Sequence, residues 1–470
     1  MQYTAEQEKI IKDDSHILLI NAFAGTGKTS TLIGYAEARP NAKILYLAFN
    51  KSIKQEAEKK FPKNVKCLTT HGLAYPVIGY KFKNKLGNNQ ILAIAKEFCI
   101  DYKLAKRVIR IIDNFIYSLD KEINQKHDST IEFESNIQTM EIAKKSWDLM
   151  CDASNEKFQM THDGYLKLYQ LSNPVLDYDY ILVDEAQDSN NVVVDIIMQQ
   201  KANKVFVGDK HQAIYGFRKT INVFKKLKKS TILNLSTSFR FGNPVAKVAN
   251  SILSVYKTEE VKILSTHGMG MVYNNQDMQF SQYTIISRTN SALFDTAVKE
   301  LRGGKSIAYV GGVESYKLDL IYDAFTLKYK GHESLRSYSG LYDFKSWEDF
   351  LTYAEESEDV EYSTLIKIVM RYTTSIPSLV MAIRNNAVKN FKHADVVLTT
   401  AHKSKGLEFD NVVLCGDFPP IHECHRDEID IDEEEVNLLY VASTRAKFNL
   451  VMNKQCMYSV DINKKELNHD

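Results

Sequence analysis

A lysine and a threonine stand side by side in Asn21-Ala22-Phe23-Ala24-Gly25-Thr26-Gly27-Lys28-Thr29-Ser30, directly after two glycines one residue apart. These residue types suit a bound polyphosphate. Gly25 and Gly27 let backbone N–H groups turn towards an anion, Lys28 brings a cation to the outer phosphates, and the Thr29 hydroxyl is a hard oxygen ligand for Mg²⁺. A second group closes the apolar run Tyr180-Ile181-Leu182-Val183 with Asp184 and Glu185. Adjacent carboxylates there suit nucleotide hydrolysis, Asp184 holding the metal and Glu185 polarising a water. A third lies in Gly208-Asp209-Lys210-His211-Gln212-Ala213-Ile214-Tyr215-Gly216-Phe217-Arg218. Gln212 is an uncharged group able to bond a phosphate oxygen, while Phe217 and Arg218 supply a stacking face and a cation.

These groups need strands and helix ends to hold them. Ile17–Ile20 reads as a strand feeding the glycine loop, with a helix from Thr31 to Ala38 after it, so the loop has the context a phosphate site requires. Ala22 stands where the pattern G-x-x-x-x-G-K-[ST] has its first glycine. Further strands are expected at Lys43–Ala48, Val65–Leu68 and Lys204–Val207, with helices between, which implies a parallel sheet. Ligands of such sheets sit beyond the strands' carboxyl ends, where Phe49, Asn50, Lys51, Thr70 and His71 fall. Near the N-terminus, Thr4 and Gln7 have capping-box spacing, and a nucleotide contact is the other reading of Gln7.

Strand signals stop from about Tyr75 to Asn155 and again from Gly331 to Asn390, where the pattern is helical. The aromatics of the second stretch, Trp347, Phe350 and Tyr353 among them, are read as core. The basic run Lys225–Lys229 is taken as the boundary before a second series of strands at Thr231–Leu235, Thr284–Ile286, Ile307–Val310, Val396–Thr399, Asn411–Leu414 and Phe448–Val451. The end of the chain is expected to be a strand and a polar tail. This half has no second Gly-x-Gly-Lys-Thr but carries Arg240, Arg288 and Arg445 at element ends. An arginine opposite a γ-phosphate stabilises the transition state; taken singly, each is the more ordinary surface ion-pair partner. The expected organisation is α/β: 1–75 and 156–225 as a first sheet domain, 76–155 as its helical insertion, 226–330 and 391–470 as a second sheet domain, and 331–390 as its small helical insertion.

Composition sets the outer limits. The chain has 470 residues, 44% of them apolar, and a formal net charge of +1, so any nucleic-acid surface must be a local groove. Six scattered cysteines suit reduced thiols, and His422-Glu423-Cys424-His425 has no second ligand pair to complete a zinc site. No secretory leader or apolar span of about twenty residues is present, which gives a cytoplasmic expectation.

In order, the glycine loop, Asp184-Glu185-Ala186-Gln187-Asp188, Gly208–Tyr215, Ser238-Phe239-Arg240, Ala401-His402-Lys403-Ser404-Lys405-Gly406-Leu407-Glu408-Phe409 and Leu439–Ala446 resemble the motifs of superfamily 1 DNA helicases of the UvrD, Rep and PcrA type. Ala22 is common in that group. The wording of Leu47–Lys51 and Met160–Leu168 is similar to the helicase core of F-box DNA helicases; with the phosphate loop so near the start, no F-box is expected before it, and a compact prokaryotic or viral relative is the expectation.

The resemblance implies two RecA-like domains and an ATP- and Mg²⁺-dependent helicase moving 3′ to 5′ on single-stranded DNA and opening duplexes with a 3′ tail. It implies nucleotide contacts from Ala24, Gly25, Thr26, Gly27, Lys28, Thr29 and Ser30, with Gln7 reading adenine, Phe239 stacking on it and Glu408 touching the sugar. Lys28, Glu185, Gln212, Arg240 and Arg445 would act in hydrolysis, with Thr29 and Asp184 on the metal. Phe49, Asn50, Thr70, His71, Phe217, Arg218, Arg288 and His402 would touch DNA. Phe217 replaces the tryptophan usual in the group, and the short 331–390 stretch weakens the expectation of strong unwinding by a monomer.

Overall fold

A computed structural model describes residues 2–88, 91–129, 137–216, 219–227, 230–274 and 280–467. Phe217 and Arg218 lie outside the described residues. The chain divides into two units, Met1–Phe23 with Gly27–Leu235, and Ala24–Thr26 with Ser236–Asp470.

In the first unit, six strands are β1 (Ile17–Ala22), β2 (Ile44–Ala48), β3 (Val65–Thr69), β4 (Tyr180–Val183), β5 (Asn203–Gly208) and β6 (Thr231–Leu235). They form one sheet in the order β3-β2-β4-β5-β1-β6, every pairing parallel. Such a sheet is covered on both faces, which is why its strands read as nearly unbroken apolar runs. Alternate residues go to opposite cores: Leu19, Leu47, Val183 and Phe206 to one, Leu18, Ile20, Tyr46, Leu182 and Val205 to the other. The first core continues into the helices Tyr102–Ile116 and Ile137–Cys151 of the helical stretch, so that stretch is built onto one sheet face.

One strand differs from expectation. Thr231–Leu235 was expected to open the second sheet, but it pairs with β1 from Leu18↔Thr231 to Ala22↔Leu235. The lysine run before it therefore lies within the first unit, and the division falls at Leu235, ten residues beyond the expected boundary at 225. A basic run reads the same way in sequence whether it separates two domains or lies within one.

The second unit contains β7 (Thr237–Ser238), β8 (Leu264–Ser265), β9 (Met271–Tyr273), β10 (Tyr283–Ser287), β11 (Ile307–Tyr309), β12 (Val396–Thr400), β13 (Phe409–Leu414) and β14 (Ala446–Val451). Its main sheet runs β11-β12-β10-β13-β14-β9, again all parallel, and β7 pairs with β8. Three helices, Trp347–Glu356, Val360–Tyr372 and Ile376–Asn386, occupy the expected helical stretch, and Phe344, Phe350 and Tyr353 are buried among them as core. The expected polar tail is instead a helix, Lys454–Leu467, which packs against Asn243–Lys257.

Candidate nucleotide site and nucleic-acid interface

The phosphate loop joins β1 to the helix Lys28–Glu37. Gly25 and Gly27 have φ of 75° and 78°, the left-handed region where a side chain would be strained. Gly27 is also the helix N-cap and has no side chain to bond the first N–H groups, which leaves that end suited to an anion. Lys28 Nζ lies 2.6 Å from Glu185 Oε1, both side chains mostly buried. Burial opposes the lysine charge, but Glu185, Asp184 and Asp209 outweigh it and hold the Lys28 pKa above its ordinary value. Lys28 is thus a cation among carboxylates.

Asp184 and Glu185 follow β4, and β5 lies between β4 and β1. Asp184 is buried; desolvation and the neighbouring Glu185 raise its pKa, against the pull of Lys28 and Tyr46. Tyr46 on β2 donates its hydroxyl to Asp184 Oδ2 at 2.5 Å. Glu185 adopts a left-handed backbone (φ 52°, ψ 44°), a strain of roughly 1–3 kcal/mol for a residue with a side chain. Gln187 donates to Glu185 Oε2 at 2.5 Å and accepts from the Asp209 N–H at 3.1 Å. Asp209 in turn accepts from Gln212 Nε2 at 2.7 Å. A Cβ on Gly208 would collide with the Gln187 amide and lie 3.0 Å from the Ala186 nitrogen, so the glycine permits this approach.

Tyr46, Gln187 and Asp209 were given no role in the sequence reading. Gln187 and Asp209 sit inside quoted motifs, and a hydroxyl-tipped aromatic in an apolar strand was the only hint at Tyr46. The combination of carboxylate oxygens, a hydroxyl at Thr29, a paired lysine and an uncapped helix start fits a nucleoside triphosphate with a hard divalent cation. Gln7 forms the expected capping box with Thr4, and its Nε2 donates to Thr31 Oγ1 at 3.1 Å.

In the second unit, Arg240 Nε lies 3.1 Å from Glu408 Oε2, so two of the residues expected at the nucleotide meet. Phe239, next to Arg240, is 47% exposed. Arg445 is 1% exposed; its guanidinium donates to the Val441 and Leu407 carbonyls at 2.9 and 3.2 Å and to the Thr444 hydroxyl at 3.2 Å.

The expected DNA contacts cluster at strand ends. Ala48 of β2 is in register with Thr69 of β3, so Phe49-Asn50 and Thr70-His71 leave adjacent strands side by side. Phe49 stacks on Tyr215 at 5.3 Å and 20°, and Asn50 caps the helix Lys51–Lys60 by accepting from the Ile53 N–H. His71 Nε2 is 3.0 Å from Asp163 Oδ1, whose other oxygen accepts from the Tyr117 hydroxyl at 2.9 Å. The second unit repeats the placement: Ser287 of β10 is in register with Thr400 of β12, so Arg288 and His402 also follow adjacent strands. Arg288 makes a bidentate pair with Glu435 at 2.6–3.0 Å, and His402 stands 4.0 Å from Glu434.

Comparison with known proteins identifies the family. The family model described as the UvrD-like helicase C-terminal domain matches residues 67–455. The chain belongs to the UvrD-like helicase family. F-box DNA helicase 1 of Gallus gallus is 35% identical over 97% of this chain and 49% of its own length. F-box DNA helicase protein 1 of Schizosaccharomyces pombe is 34% identical over 96% of this chain and 57% of its own. The ATP-dependent DNA helicase PcrA of Leuconostoc citreum is 21% identical over 68% of this chain and 51% of its own. The chain thus spans about half the length of the curated relatives it matches. Among the described residues, no helix is long and apolar enough to cross a membrane.

Proposed function

We propose that this UvrD-like helicase chain hydrolyses ATP to move 3′ to 5′ along single-stranded DNA and to open duplexes bearing a 3′ tail. One observation carries the reading: a single loop holds Gln212 on Asp209 at one end and, three residues on, Tyr215 stacked on Phe49. The same loop therefore adjoins the hydrolytic carboxylates through the Gln187 bridge and the candidate track through Phe49. A change in the bonding of Glu185 would reach the Phe49 ring through Gln187, Asp209 and the loop that carries Tyr215, which is what coupling hydrolysis to translocation requires.

In this reading Ala24–Ser30 cradle the phosphates, and Lys28 leaves Glu185 for the outer phosphate oxygens. That exchange frees Glu185 to orient and deprotonate the attacking water. Thr29 and Asp184 would hold Mg²⁺, which when bound would supply positive charge to the phosphates. Gln7 and Phe239 would meet the base, Glu408 the sugar, and Gln212 the γ-phosphate. Arg240 and Arg445 are the candidate transition-state cations, and Arg445 would give up a carbonyl bond to reach a phosphate. Phe49, Asn50, Thr70, His71, Arg288 and His402 would line the DNA track, with Phe217 and Arg218 contributing a further stacking face and cation. Aromatic stacking tolerates any base, as a motor needs.

Unwinding of duplexes with a 3′ or a 5′ tail, with ATP and Mg²⁺, tests the reading; opening only from the 5′ tail overturns the polarity. A second reading is a translocase that displaces bound proteins with little unwinding, favoured by the short helical stretch of the second unit. Displacement of a protein block from single strands, without opening of tailed duplexes, would select it.

A further inference from the structure

An aromatic series leads away from His71. Its ring stands edge-on to Tyr165 with centroids 6.0 Å apart; Tyr165 to Tyr75 is 6.1 Å, and Tyr75 to Tyr80 is 6.3 Å. Gly79 lets the segment lie this close, since a Cβ there would fall 2.7 Å from the Tyr75 ring and 3.2 Å from that of Tyr165. The outermost ring, Tyr80, is 58% exposed, although a tyrosine serving only the core would be covered. Lys83 Nζ lies 4.8 Å from the centre of that ring and 3.3 Å from its hydroxyl, and Lys81 beside it is exposed.

Charge along this segment is one-sided. The chain as a whole balances 60 basic against 59 acidic residues, but residues 72–88 contain Lys81, Lys83 and Lys85 and no Asp or Glu. Lys85 is buried and donates to the Leu149 and Asp152 carbonyls, so the outward cations are Lys81 and Lys83. An exposed ring beside two outward lysines and without a carboxylate in its own segment has the makings of a single-strand contact, a stacking face with cations for the flanking phosphates.

We propose that Tyr80, Lys81 and Lys83 form an outer contact for single-stranded nucleic acid, extending the track beyond His71 over the start of the helical stretch. Tyr80 stacks on a base, and the lysines neutralise the phosphates on either side. The proposal rests on the DNA-track reading above and adds a contact outside the strand ends that the motifs identify.

The test is binding of labelled oligothymidylates by the whole chain, with a short oligonucleotide of about 8 nucleotides that fills the inner track and a longer one of about 20. Tyr80→Ala is expected to weaken the longer strand by about 5- to 150-fold and to leave the shorter one unchanged. Tyr80→Phe keeps the ring and should bind as the native chain does. In Lys81→Gln/Lys83→Gln, the salt dependence of longer-strand binding should flatten by about 1.4 in log–log slope, the loss of two phosphate contacts. ATP hydrolysis without DNA should not change, and the exposed positions should leave thermal melting where it was.

The proposal is overturned if Tyr80→Ala binds the longer strand normally, or if both strands weaken equally. Loss confined to blunt duplex would assign the surface to duplex DNA and overturn it as well. A native chain that binds neither strand would remove the track reading and this proposal together, whereas native binding with unaffected variants removes only the proposal.

Discussion

Replacing Tyr46 with phenylalanine deletes one oxygen from a fully buried site and tests whether Asp184 is held as an anion. The phenol is 0% exposed and donates to Asp184 Oδ2 at 2.5 Å. A hydrogen bond to a charged group contributes about 1.5–3 kcal/mol, and one between neutral partners about 0.5–1.5 kcal/mol. Burial, then Glu185, raises the Asp184 pKa, and Tyr46 and Lys28 oppose that rise. For an acid with a raised folded pKa, stability is fully present below the unfolded value and is lost as pH rises through the folded one. Tyr46→Phe raises the folded pKa further, so its cost is expected to be about 0.5–1.5 kcal/mol at an acidic pH where Asp184 is protonated and to grow to about 1.5–3 kcal/mol at an alkaline pH where it is ionised. Urea midpoints of native and variant chains at the two pH values measure it. The same change loosens the carboxylate assigned to Mg²⁺, so half-saturating Mg²⁺ for ATP hydrolysis should rise about tenfold, a figure equivalent to 1.4 kcal/mol. An equal cost at both pH values, with an unchanged Mg²⁺ requirement, would refute the reasoning.

Substitutions at two further positions address the junction between the helical stretch and the candidate track. Burial and the charge of Asp163 push the Asp113 carboxyl up to about 7. Its stabilising contribution is therefore complete at low pH and disappears as pH rises through about 7, so Asp113→Asn should gain stability over the native chain from pH 5 to pH 8, by about 1–3 kcal/mol. Melting curves at the two pH values check this, and a gain that does not grow with pH would contradict it. Asp163→Ala removes the shared acceptor of His71 and Tyr117, so the DNA concentration for half-maximal ATPase stimulation should rise about 2- to 13-fold while hydrolysis without DNA stays unchanged. Asp163→Glu should recover part of the loss, and equal losses with and without DNA would mean that Asp163 only supports the fold.

Elements that follow from local order were legible in the sequence. The glycine loop, the Asp184-Glu185 strand end and the apolar runs of β1, β2, β4, β5, β10 and β12 could be read because a parallel sheet buried on both faces writes itself as short continuous apolar segments. Pairing between distant strands left no local mark. Thr231–Leu235 reads equally well in either sheet, and only its register with β1 assigns it to the first. β7, β8 and β9, two or three residues each, are too short to show a period. Lys454–Leu467 is a helix packed on Asn243–Lys257, a tertiary contact that local sequence does not record. The site divides in the same way: Lys28 and Glu185 were evident from their motifs, whereas Tyr46 touches Asp184 only because β2 lies next to β4.

ATP hydrolysis by the native chain with and without single-stranded DNA, beside Glu185→Gln, bears most directly on the central claim. Strong stimulation by DNA in the native chain, abolished in Glu185→Gln, is the predicted result, because one loop ties Gln212 to the hydrolytic site and Tyr215 to Phe49. Hydrolysis that is indifferent to DNA would contradict it and leave an ATP-driven switch in place of a motor.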